Sequence, residues 1–247
     1  LVATTESFGK SGATPTHPEL LDWLAVELVE SGWSLKAIHR LILTSSAWRQ
    51  SSRVTPELER QDPDNKLLSR MQLRRLDAEE IHDALVFVAG ELDGTMLGPA
   101  APVSQRPDGL VVPARGPRGF RRSIYVRQER KRPLTILEDF DLPAMNPNCV
   151  ERKSSTVATQ ALHLLNNAWV GDLARKLAER VEREAGVDFE KQVEAASRIA
   201  LGRPPSREAK ILALEALSRA SESWTARDAL VSWCQVLLNS AAFIYVD

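Results

Sequence analysis

Apolar residues recur at helical spacing over most of the chain, and the polar residues between them supply helix starts and stops. Thr16-His-Pro-Glu19 sets a capping threonine, a proline in the first turn and a glutamate that can reach back. Leu20, Leu21, Leu24 and Leu28 then line one face. Gly32 stops that helix, and Ser34 caps a second one carrying Leu35, Ile38, Leu41 and Ile42, so the pair reads as a helical hairpin. A short helix is expected around Asn65 to Met71. Asp77 with Glu80 repeats the acidic cap before Ile81, Leu85, Val88 and Leu92. The C-terminal half repeats the pattern. Thr156 precedes Val157, Ala161, Leu164 and Leu165, followed by Val170, Leu173, Leu177 and Val181 and a stop at Gly186. Asp188, Ser206 and Thr225 open three more helices, the first ended by Gly202-Arg-Pro-Pro205.

The middle is different. Gly94 to Gly119 holds five of the 12 glycines and five of the 14 prolines, which fits neither a helix nor a central strand. It reads as a long loop. Ser123-Ile-Tyr-Val-Arg127 alternates well enough for one short strand, with Phe243 to Val246 or Leu110 to Val112 as its partner. The expected fold class is therefore mainly α, with two helical lobes around a loop-rich middle and a short β element. The expected segments are an N-terminal lobe over 1–93, the Gly/Pro-rich loop over 94–120, and a strand-containing middle with the C-terminal lobe over 121–247. Together they make one structural domain, cut at its N-terminus because residue 1 is Leu.

Composition adds limits. The chain has 247 residues, 43% of them hydrophobic, which is enough to bury a sizeable core. Its 32 basic and 33 acidic residues leave a formal charge of −1. That removes the global field that general nucleic-acid binding needs, so nucleic acid is not an expected partner. Two charge-free runs, Ser154 to Gly171 and Ala229 to Val246, reach membrane-span length. Both carry too many polar groups, Gln160, His163, Asn166, Gln235 and Asn239 among them, for a span in lipid. Cys149 and Cys234 can form one disulfide or remain two thiols.

The common local catalytic signatures are missing: there is no phosphate loop, nucleophile elbow, His-Glu-x-x-His or haem-attachment motif. The densest polar stretch runs from Glu138 through Asp139, Asp141, Asn146, Asn148 and Cys149 to Arg152 and Thr156. Its oxygen-bearing side chains suit a hard cation such as calcium, without the spacing of an EF-hand, or serve turns and caps. Asp139 and Asp141 are also candidates for acid–base work, with Thr156 and Gln160 beside them. Arg118, Arg121, Arg122, Arg127, Arg130, Lys131 and Arg132 crowd 15 residues, and such a cluster binds anions or pairs with the acidic stretch that follows. Arg121, Arg122, Arg152, Asn146 and Asn166 are the binding candidates. His17, His39, His82 and His163 read as packed or surface residues, and the six tryptophans as core; no metal site is expected. Gln160 and Asn166 within an apolar run point to an internal polar network.

Several of these motifs are familiar together. Pro15-Thr-His-Pro-Glu-Leu-Leu-Asp-Trp-Leu-Ala25, Ser31-Gly-Trp-Ser34, Arg74-Arg-Leu-Asp-Ala-Glu79, Arg121-Arg-Ser-Ile-Tyr125, Phe140-Asp-Leu-Pro143, Gln160-Ala-Leu162 and Leu201-Gly-Arg-Pro-Pro205 resemble a planctomycete-type domain of unknown function. This is the family numbered fifteen fifty-three, the planctomycete-specific PSD domain. The resemblance spans essentially the whole chain. It implies the C-terminal module of a large exported protein, periplasmic or at the cell surface, with other domains of the same polypeptide as partners, a cytochrome c domain among them. It also implies no cofactor in this chain, haem c lying in the linked domain, and no established activity. The function expected is a non-catalytic interaction or scaffold module. The alternative is an enzyme or carbohydrate-handling site in the central Asp139 to Asn166 segment.

Overall fold

Helix starts and stops account for most of the architecture in the computed structural model, which describes residues 1–5, 7, 9–143, 149, 152 and 154–246. The fold is mainly α, and its described sheets are of two strands each. The chain divides into two bodies, Leu1–Arg74 and Arg75–Val246.

The first body holds α1 (Pro18–Glu30), α2 (Leu35–Thr44) and α3 (Pro56–Gln61). α1 and α2 form the expected hairpin, turning through Gly32 (φ +69°) and Trp33 (φ +61°), and the Ser34 hydroxyl accepts from the Ala37 N–H at 3.3 Å. Thr16 does not cap α1. His17 holds that position, while the Thr16 hydroxyl donates to the Leu1 carbonyl. Asn65 to Met71 is a run of turns instead of a helix, because side chains compete for its backbone. The Asp62 carboxylate accepts from the Lys66 and Leu67 N–H groups (2.7 and 3.0 Å), and Asn65 and Leu68 take positive φ.

The second body contains the core. β1 (Arg74–Arg75) lies at the boundary, and α4 (Ala78–Val88) follows it. α4 belongs to this body, with Ile81, Leu85 and Val86 fully buried among its residues. There they meet Leu134, Leu137 and Phe140 around α5 (Thr135–Asp139), Leu164 of α6 (Ala158–Asn166), and Val170, Leu173 and Leu177 of α7 (Ala168–Ala185). α8 (Phe189–Leu201), α9 (Arg207–Ala220) and α10 (Ala226–Leu238) complete the bundle around a smaller cluster of Val193, Ala213, Leu217 and Ala229. α11 (Ala241–Ile244) closes it, and the Leu76 N–H donates to the Ile244 carbonyl at 2.8 Å.

The Gly/Pro-rich middle carries more β structure than a plain loop. β2 (Leu92–Asp93) runs parallel to β5 (Phe120–Arg121), with Leu92 opposite Phe120, and β3 (Val103–Gln105) pairs antiparallel with β4 (Val111–Pro113). Gly119 makes the first pairing feasible. At φ +116° a Cβ there would sit 2.1 Å from the Glu91 carbonyl oxygen, which accepts the Phe120 N–H at 2.7 Å. Ser123–Tyr125, expected as a strand, is a single 3-10 turn, because the Ser123 N–H goes to the Asp83 carboxylate at 2.6 Å. Tyr245–Val246 is strand β6. Trp169 is buried, stacked on His82 at 5.4 Å and edge-on to Phe120, whereas Trp23, Trp33, Trp48 and Trp224 are exposed and outside any core. No disulfide joins Cys149 and Cys234, and burial pushes the Cys234 thiol up to about 12.

Candidate functional site

α5 ends one residue before Phe140, and the chain reverses through Asp141 in the left-handed region (φ +66°), a conformation that Asp tolerates. This reversal points the Asp141 carboxylate at the segment leading into α6. It accepts the Ser155 N–H (2.8 Å), the Ser155 hydroxyl (2.7 Å) and Nη2 of Arg75 (2.8 Å). Arg75 is buried and also donates to the carbonyls of Ser155 (2.6 Å) and Phe140 (3.0 Å), with its guanidinium 5.4 Å from the Phe140 ring centre. Burial works against the charged carboxylate of Asp141. The hydrogen bonds from Ser155 and Arg75 outweigh it and hold the carboxyl below its usual range.

The other central candidates gather around this pair. Gln160 is buried and donates from Nε2 to the carbonyls of Asp139 (3.0 Å) and Ser155 (3.2 Å), while its Oε1 accepts the Val157 N–H (3.3 Å). Val157, not Thr156, therefore stands at the α6 N-cap. The Thr156 hydroxyl instead meets the Tyr245 hydroxyl at 2.9 Å. Asp139 bonds His163 Nδ1 at 2.5 Å, and His163 Nε2 faces the Asn167 amide nitrogen at 2.8 Å. Asn167 Oδ1 accepts the Trp169 N–H and caps α7, which splits one expected helical run into two. With the Asn167 amide nitrogen donating, His163 Nε2 is the acceptor and its Nδ1–H faces the Asp139 carboxylate. The buried amide next to the α6 terminus is thus Asn167, and Asn166 beside it is exposed.

Two concavities flank these groups. A pocket of about 180 Å³ is lined by Arg75, Thr156, Gln160, Asn239 and Tyr245 over an apolar floor that includes Phe140 and Ala161. A larger cleft of about 800 Å³ lies along the first turns of α4, where Asp77, Glu79, Glu80 and Asp83 stand opposite Arg122 and Arg152, with Phe87, Ile124 and Leu142 between. Arg152 grips Glu79 with both terminal nitrogens (2.6 and 2.8 Å), and this bond holds the Glu79 carboxyl below its usual range. Asp83 is also held low: burial opposes its charge, but His82, the Ser123 N–H and Arg122 together overcome that. The Glu80 carboxylate accepts the Asp77 N–H at 2.8 Å, one arm of the expected capping box.

Arg122 and Arg152 thus share a cleft, whereas Arg121 is elsewhere. It donates to the carbonyls of Thr95, Leu97 and Pro99 and lies 4.4 Å from the Tyr125 ring centre, stapling the glycine-rich segment. Asn146 and Asn148 lie outside the described residues. Among the described residues no group of three or more His, Cys, Asp or Glu side chains is arranged to hold a metal ion, and Asp139 and Asp141 are engaged by His163, Arg75 and Ser155. The residues that organise the site without having been candidates are Arg75, Glu79, Asp83, Asn167, Asn239 and Tyr245. The one local signal for the first two was the capping-box segment Arg74-Arg-Leu-Asp-Ala-Glu79.

The family model for PSD1, described as a protein of unknown function (DUF1553), matches residues 1–217. The chain belongs to the PSD1 family. No curated protein and no solved structure matches it. The PSD1 match takes in Arg75, Asp141, Gln160 and both cleft arginines, while Asn239 and Tyr245 follow its last matched residue. No helix among the described residues is long and apolar enough to cross a membrane.

Proposed function

We propose that this PSD1 chain is a non-catalytic interaction module whose α4 cleft receives a segment of a linked domain of the same polypeptide. The carrying observation is where the polar valences are used. Asp139, Asp141 and Gln160 are engaged by internal partners. The cleft, by contrast, presents the exposed apolar side chains of Phe87 and Ile124 beside exposed Arg122 and Arg152. Apolar contact area with a charged rim is the make-up of a protein-docking surface. An exported parent protein, with a cytochrome c domain as the linked partner, belongs to the same proposal and rests on the family resemblance.

One observation favours an enzyme instead: the Asp139–His163 pair has the geometry by which a carboxylate orients a catalytic imidazole. However, His163 is buried and its second nitrogen is occupied by Asn167, so it lacks a free face toward a reacting group. The test is an NMR titration of the chain with the separately produced preceding domain of its parent protein. Resonances of Ser123, Ile124 and Gln128 should shift, and Ile124→Asp should abolish the shifts. Turnover of a glycan, ester or peptide panel, lost in a folded Asp141→Asn variant, would overturn the reading.

A further inference from the structure

The loop between β2 and β3 holds an apolar tip out into solvent. Met96 to Ala100 are exposed in an unbroken run, with Met96 72% and Leu97 74% exposed. Such a run is a liability in a folded protein unless it has a use. The tip is also fastened. One guanidinium, that of Arg121, donates to the carbonyls of Thr95 (2.7 Å), Leu97 (2.8 Å) and Pro99 (2.9 Å) and lies over the Tyr125 ring. Asp93 accepts the Thr95 N–H and hydroxyl at 3.0 and 2.6 Å. Leu97 takes φ +62°, a left-handed conformation that strains a bulky side chain. A strained turn, pinned from inside and exposing its two largest apolar groups, is built to present them.

Charge and hydrogen bonding select the partner. The loop is bounded at Asp93 by Arg118 (3.6 Å) and at Ala101 by Arg127, whose N–H donates to the Ala101 carbonyl at 2.8 Å. Both arginine side chains are exposed. From Arg127 the chain continues through Arg130, Lys131 and Arg132, four bases against Glu129 alone. We infer that this tip is a reversible anchor for an anionic lipid surface. Met96 and Leu97 enter the boundary between headgroups and acyl chains, while the basic residues stay at headgroup level. The hydrocarbon offers no hydrogen-bond partners, and the carbonyls of Thr95, Leu97 and Pro99 are already taken up by Arg121. A loop that docks on a protein has no need to withdraw them, because a partner can donate to them.

The experiment is co-sedimentation of the intact chain with vesicles of phosphatidylglycerol and phosphatidylcholine in equal parts, and with phosphatidylcholine alone. The chain should pellet with the anionic vesicles, several-fold less with the neutral ones, and less again as salt is raised. Met96→Asp combined with Leu97→Asn should lower binding tenfold or more. Circular dichroism and the unfolding midpoint should be kept, since both side chains are exposed and Asn tolerates a left-handed backbone. Arg127→Glu with Arg130→Glu should bring anionic binding down to the neutral level. Failure to pellet with either vesicle, equal pelleting with both, or undiminished binding of either folded variant would each overturn the inference. A chain that ignores vesicles while its Met96 and Leu97 resonances respond to the linked domain would overturn it in favour of a protein contact. The vesicle readouts do not depend on what the α4 cleft binds.

Discussion

Two arginine–carboxylate pairs of the second body use the same chemistry to opposite ends. Arg75 and Asp141 meet at 2.8 Å with side chains 5% and 27% exposed, whereas Arg152 and Glu79 meet at 2.6 Å with 45% and 30% exposed. Around the first pair the backbone is engaged: Arg75 ties the α5 reversal to the segment before α6 through the Phe140 and Ser155 carbonyls. The second pair has water on one side and an apolar cleft floor on the other. Burial therefore decides the role. A charge pair withdrawn from water is stabilising only when its remaining valences are filled, and removing one partner strands the other. An exposed pair contributes little to stability and stays available to exchange partners.

The largest expected effect follows directly. Arg75→Ala leaves the Asp141 carboxylate and the Ser155 and Phe140 carbonyls without their donor, and should cost about 3–5 kcal/mol in denaturant unfolding. A loss below about 1 kcal/mol would place Arg75 with the surface pairs and end the contrast.

How much of this contrast was legible in the sequence depends on range. Helices announced by local caps were readable, since Ser34, Asp188, Ser206 and Thr225 each accept an N–H two or three residues ahead in the folded chain. Asp139, Asp141 and Gln160 stood out because polar residues in a proline-broken segment and an apolar run demand partners. Arg75 did not, because its bond to Asp141 spans 66 residues and nothing in the dipeptide Arg74-Arg75 says which arginine turns inward. The Ser123–Arg127 strand failed for the same reason: its first N–H is claimed by Asp83, 40 residues earlier. Asn166 was one residue from the buried amide, because a helix end set by Asn167's own cap shifts which neighbour faces inward.

Acid should separate the pairs next. Asp141 has a folded carboxyl held below its ordinary value of 3.8, so it contributes stability that is present above that value and is lost as pH falls toward the folded one. Stability of the wild type should thus be level near neutrality and decline below about pH 4. Asp141→Asn should be less stable at neutral pH and show a shallower acid limb, read by urea midpoints across pH 3 to 7. An unchanged slope would mean that Asp141 is not held below its ordinary value.

A neutral comparison lies between the two ion pairs. Asn167 links the Asp139–His163 bond to the start of α7 without carrying charge. Asn167→Ala removes an N-cap and strands His163 Nε2, for an expected loss of about 0.5–2 kcal/mol. His163 should also lose its fixed tautomer, visible as averaged imidazole nitrogen shifts in NMR; a retained Nδ1–H form would show that Asp139 alone sets it.

The smallest stability effect belongs to the exposed pair, and there the function should appear. Arg152→Ala should change unfolding free energy by no more than about 1 kcal/mol, because the bond it removes lies half in water and added salt already screens it. Glu79 would then lose the partner that holds its carboxyl low, and its titration should move up toward the ordinary 4.5, measurable by carboxyl carbon shifts. The cleft changes more than the fold does: it keeps Asp77, Glu79, Glu80 and Asp83 against Arg122 alone, a shift of one unit toward negative charge. If the cleft docks a linked domain, this variant should alter the affinity and salt dependence of that contact while leaving the midpoint of unfolding nearly in place. A large loss of stability with unaltered docking would reverse the two roles, making Arg152 the structural pair and leaving the α4 cleft without its function.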